Sequence, residues 1–113
     1  MPTYLIDSYS VRLWSSRPTT NLDPVVPVAG VYLFEGATYR GHVYFHPDGT
    51  PLSPPAVDAA SGQVFLSFNL SQLGPVLHLL REEQPIYLYD LGPDNVGLMT
   101  GQEPTGEEEG PGG

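Results

Sequence analysis

The sequence predicts an α+β fold: a mainly antiparallel sheet of five to six strands with one helix late in the chain, in the order β-β-β-β-α-β-β. Three observations predict it. Several segments alternate apolar and polar residues with period two, as half-buried strands do. One segment, following Ser71, carries an apolar stripe at helical spacing instead. Between these segments, 13 Gly and 13 Pro in 113 residues break the chain into short pieces.

Ser8–Trp14 is the first strand. Tyr9, Val11 and Leu13 point one way and Ser8, Ser10 and Arg12 the other. Residues 15–28 hold Pro18, Pro24 and Pro27 and read as an extended loop, because three prolines remove three backbone donors. Val31–Glu35 and Tyr39–His46 form a hairpin through Gly36-Ala37-Thr38. This joins Val31 to Val43 and Leu33 to Gly41, with Tyr32 opposite His42 and Phe34 opposite Arg40 on the outer face. A slip of one residue would mix the aliphatic face with the polar one.

His46-Pro47-Asp48-Gly49 has the order of a type I turn. Residues 50–62, with Pro51, Pro54 and Pro55, are a second irregular stretch. Val64, Leu66 and Phe68 mark the next strand. Taking Ser71 as N-cap places Pro75 in the first helical turn, where a missing N–H costs little. Leu73, Val76, Leu77 and Leu80 then form one stripe, and Pro85 stops the helix near Glu83. Glu82 and Glu83 stand against the helix dipole, which favours cations at that end. Ile86–Asp90 and Val96–Thr100 close the fold as a second hairpin. Residues 1–101 thus form a single α+β domain. Residues 102–113, with four Glu and no aliphatic side chain, are expected to be a disordered acidic tail.

Composition excludes several functions. Thirteen acids against four Arg and no Lys give −9, and −5 remains when the four tail glutamates are set aside. Nucleic-acid binding draws on Lys and Arg to neutralise phosphates, so the charge speaks against it, and against anionic membrane surfaces. No apolar run approaches the roughly 20 residues of a membrane span. The N-terminus lacks a basic region followed by an apolar one, so no secretory signal is expected. With no Cys, thiolate chemistry and cysteine zinc sites are absent. The expected location is the cytoplasm.

Chemistry has little to stand on. His42 and His46 share a strand face but lie about 13 Å apart, too far for one ion. No nucleophile elbow, phosphate loop or desolvated carboxylate pair is present, so we expect no catalytic residue, no cofactor and no metal. The feature above background is aromatic. Tyr32, Phe34, Arg40, His42, Tyr44 and His46 share the outer hairpin face and form the candidate interface, since such side chains dominate protein contacts. The competing expectation is that the Pro-rich loops fold over this face as a lid.

The phrases Ser71-Gln72 … Leu79-Leu80-Arg81-Glu82-Glu83-Gln84-Pro85-Ile86-Tyr87-Leu88-Tyr89 and Thr100-Gly101-Gln102-Glu103-Pro104-Thr105-Gly106-Glu107-Glu108-Glu109 resemble a family of short uncharacterised bacterial proteins. The likeness takes in the hairpin and the His46–Gly49 turn as well, about two thirds of the chain. It implies no activity, but a tail kept as a family trait implies a basic partner surface. The first four strands plus helix also share their order with Whirly-type and PUR-repeat single-stranded nucleic-acid binders. The sequence therefore supports a non-enzymatic protein-interaction module, with a protein partner or itself as a homodimer. The alternatives are a single-stranded nucleic-acid binder and a small-ligand-binding or hydrolytic protein.

Overall fold

The central hairpin is formed by β3 (Ala29–Glu35) and β4 (Thr38–His46). Val31 faces Val43, Tyr32 faces His42 and Leu33 faces Gly41, the register that the alternation requires. Beyond Leu33 the register shifts by one, and Phe34 pairs with Tyr39 rather than with Arg40. Arg40 is the extra residue of a β-bulge, which reverses the facing of the side chains before it. Its guanidinium swings to Glu35 at 2.9 Å and stacks on the Tyr4 ring at 4.2 Å, while Tyr39 joins the aromatic face.

The computed structural model describes residues 3–15, 27–92 and 95–101, and within them the chain makes eight strands in two sheets. The expected single sheet of five to six strands is corrected accordingly. One sheet runs β2-β3-β4-β6-β5, with β2 at Ser8–Leu13, β5 at Ala56–Val57 and β6 at Val64–Asn69. The other runs β1-β7-β8, with β1 at Thr3–Ile6, β7 at Ile86–Asp90 and β8 at Val96–Thr100. All pairings are antiparallel except β4 with β6, which is parallel. β1 and β2 are one strand bent at Asp7, so a single stretch of chain serves both sheets. Asp7 fixes the bend: its amide reaches Phe34 C=O at 3.0 Å, and its carboxylate accepts the Gly36 N–H at 2.9 and 3.0 Å.

The turn after β4 closes between Pro47 and Thr50, one residue later than its sequence order suggests. The Pro-rich stretch that follows supplies the two-residue strand β5, paired with β6. It ends in a turn where Asp58 accepts from the Ser61 hydroxyl at 2.6 Å, and Tyr4 donates to Gly62 C=O at 2.9 Å. That last bond ties β1 to the entrance of β6.

The helix α1 spans Leu73–Glu82 and is preceded by a 3₁₀ turn over Leu70–Gln72. Ser71 is not its cap. It lies inside the 3₁₀ turn, and no side chain of the flanking residues caps either helix. An acid from elsewhere meets that need: Asp48 accepts the Ser71 N–H at 3.0 Å, bringing negative charge to a helix start. The stripe Leu73, Val76, Leu77 and Leu80 turns inward, with Val76 buried. It does not cover the β3–β4 aliphatic face alone. Ile6, Ile86 and Leu88 of the second sheet share the same core with Val31, Leu33, Val43, Phe45, Val64 and Leu66. The fold is thus α+β and mostly antiparallel, with one helix late among the described residues.

The acidic tail and the greater part of the first Pro-rich loop lie outside the described residues, so the expectations of disorder and of a lid do not reach them.

Candidate interaction surface

The outer face of β3 and β4 gathers the aromatic side chains as alternation requires. His42 and Tyr44 stack at 3.9 Å, and the Phe65 ring of β6 lies 4.6 Å from His42. Tyr32 meets Tyr39, His42 and Tyr44 edge-on or tilted at 5.9 to 6.3 Å. Phe34 reaches Tyr39 at 5.9 Å. Trp14, just past β2, crosses the sheet and meets Tyr44 edge-on at 6.1 Å. Gly30 makes that crossing possible, since a Cβ there would lie 2.9 Å from the indole. The rings are half-buried and already in mutual contact, so the face is a rigid aromatic layer rather than a bare patch.

Of the six residues marked from sequence, Tyr32, Phe34, His42 and Tyr44 are brought together here. Arg40 leaves the cluster through the bulge. His46 ends the row at 5% exposure, with Nδ1 lacking a hydrogen-bond partner. Its sheet neighbour Asn69 has a likewise unpartnered Oδ1. Among the described residues, Arg12 lies over the face, its guanidinium 4.7 Å from the Tyr32 centroid. Among the described residues, no three His, Asp or Glu side chains assemble as a metal site. Nor is any helix among them long and apolar enough to cross a membrane.

Burial sets the protonation of the face. It pushes the His42 imidazole down to about 4 and holds His46 below its usual value. Burial, and then the neighbouring Tyr32 phenol, raise Tyr39 above the ordinary phenol range. Tyr39 therefore keeps its proton, and its hydroxyl shares a 2.7 Å hydrogen bond with His42 Nδ1 whose direction is set by the imidazole tautomer. Unfolded histidine titrates near 6.5, so between that pH and about 4 the unfolded chain binds protons that the folded chain refuses. Stability should be level above pH 7 and fall as pH drops from 6.5 to 4. The loss from His42 is about 1–2 kcal/mol once its partial exposure is allowed for. Urea midpoints at pH 7.5, 5.5 and 4.5 test this, and a flat profile in native protein would contradict it. His42→Gln should flatten the slope.

The sequence did not point to β2 as an open edge. Trp14 N–H donates to Val28 C=O at 3.0 Å, which extends the β2–β3 ladder with the same pairing. Antiparallel pairs alternate, so Tyr9, Val11 and Leu13 direct their N–H and C=O groups away from β3. Among the described residues no strand receives them. Val11 is 40% and Leu13 70% exposed, because the second sheet covers the inner face only at the Tyr9 end. β5, the opposite edge, is two residues long and follows Pro51, Pro54 and Pro55, a protected edge.

A cleft of about 730 Å³ opens at the Asp7 bend, where the chain leaves β7 to join β3. Ile6, Tyr9, Leu80, Pro85 and Ile86 supply apolar walls, and Asp7 and Glu83 are the charged residues among the described ones that line it. The signal for this site in the sequence is Glu83, an acid at the end of a helix where acids are disfavoured.

No family model, no curated protein and no solved structure matches the chain.

Proposed function

We propose that the chain is a protein-interaction module that pairs with a second copy of itself along β2. The carrying observation is the contrast between the two edges of the larger sheet. β5 is blunted by prolines and shortness, whereas β2 is six residues long, has no proline and leaves Val11 and Leu13 exposed. Its single charge, Arg12, is drawn onto Tyr32 instead of guarding the edge. Antiparallel pairing about Val11 sets Leu13 beside the partner's Tyr9 and places no like charges opposite each other. The aromatic face flanks the same edge through Arg12 and supplies further contact area.

Solution mass by light scattering tests the reading. The native chain should run at twice 12.2 kDa. Val11→Pro removes an N–H that points away from β3, so it should yield a folded monomer, and Leu13→Lys should do the same. A native chain that stays at 12.2 kDa throughout the micromolar range would remove this reading.

A further inference from the structure

We propose that the cleft at the Asp7 bend is a socket for Leu13 of a second copy of this chain. The socket rests on pairing along β2, and it names the side chain that anchors that pairing.

The register delivers Leu13 to the cleft. Trp14 N–H bonds Val28 C=O, so the even residues of β2 bond β3 and the odd ones are left for a second strand. With Val11 on the two-fold axis, Tyr9 of one copy and Leu13 of the other exchange both backbone hydrogen bonds. Their Cβ atoms then stand about 5 Å apart on the same face of the sheet. That face is the inner one, since Tyr9 packs against the core. Tyr9 is also a wall of the cleft, together with Ile6, Leu80, Pro85 and Ile86. Edge and cleft are therefore continuous through one residue.

The two ends of β2 have complementary defects. At its far end the second sheet no longer covers the inner face, and Leu13 is left 70% exposed, more than any other large apolar side chain among the described residues. At its near end the bend opens a cleft of about 730 Å³, roomier than one leucine needs. Ile6 and Ile86, at 7% and 3% exposure, carry the core out to its wall. Antiparallel pairing sets the bare end of one copy on the open end of the other, twice per dimer. An aliphatic anchor entering an apolar pocket is the kind of contact on which interface affinity concentrates.

The test uses the full chain, in dimers mixed from one copy ¹³C-labelled at its methyl groups and one unlabelled copy. Isotope-filtered NOEs should join the Leu13 methyls of the labelled copy to the Tyr9 ring and Ile86 of the other. Leu13→Ala should weaken the dimer about tenfold or more on dilution in light scattering, with the melting temperature of the monomer unchanged because the side chain is exposed there. Leu80→Ala, in the cleft wall, should weaken it several-fold on the native background and much less on the Leu13→Ala background. Leu77→Ala lies on the same helical stripe outside the cleft and should leave dimer affinity unchanged. A dimer that Val11→Pro abolishes, but that lacks these NOEs or tolerates Leu13→Ala, overturns the socket and leaves the edge pairing standing. A chain monomeric throughout the micromolar range removes both.

Discussion

Replacing Gly41 with alanine should cost roughly 3 kcal/mol or more, beyond the usual range for one added methyl. The new Cβ would fall on the Val64 carbonyl oxygen, with Val64 N only 3.0 Å away. These are backbone atoms of the paired strand β6 and cannot rotate aside. Gly41 also has φ +155°, at the margin of what side chains tolerate. The variant must therefore push β6 away from β4 and open the single parallel pairing. Urea unfolding measures the loss. Gly74→Ala is the matched control: nothing lies within 4 Å of its Cβ and it is helical, so it should be neutral or stabilising by up to about 1 kcal/mol. A Gly41→Ala protein within 1 kcal/mol of native would mean that β6 does not approach β4 so closely.

Phe45→Ala should cost about 3–5 kcal/mol. The ring has no exposed surface and meets Phe68 edge-on at 6.2 Å, in the core where the two sheets meet. Neighbouring β-strands cannot collapse into the space, because their register is held by ladders on both sides of β4. Phe45→Leu keeps most of the volume and should cost less than about 1.5 kcal/mol. If both variants lost the same small amount, the ring would not be a core element.

What could be read from the sequence was local in origin. The β3–β4 register up to Leu33 follows from alternation and loop length, and β7 and β8 have the bounds that their apolar runs and flanking turns suggest. The helical stripe turned inward because spacing alone sets its face. What escaped was decided by distant partners. The Arg40 bulge has no signature in the hairpin and is held by Glu35 and Tyr4. β1 is four residues long, with Leu5 exposed beside buried Ile6, too short for a pattern to stand out. Ser71 looked like a cap because caps are chosen by residue type, whereas Asp48 reached that amide from 23 residues away. Of the surface, the aromatic row was legible, but the open edge was not. An edge is defined by a strand that is missing, and no residue type encodes that.

The bent strand β1–β2 also governs the order in which the two sheets can be completed. Thr3 pairs with Tyr89 and Ile6 with Ile86. During synthesis, Thr3–Ile6 emerges before every other strand of the two sheets yet has no partner until the segment of β7 has left the ribosome. β2 can dock on β3 long before that, so the Asp7 joint divides an early-folding half of one strand from a late one. A chain interrupted before residue 86 would display that strand unpaired, a sticky end for quality-control machinery to recognise.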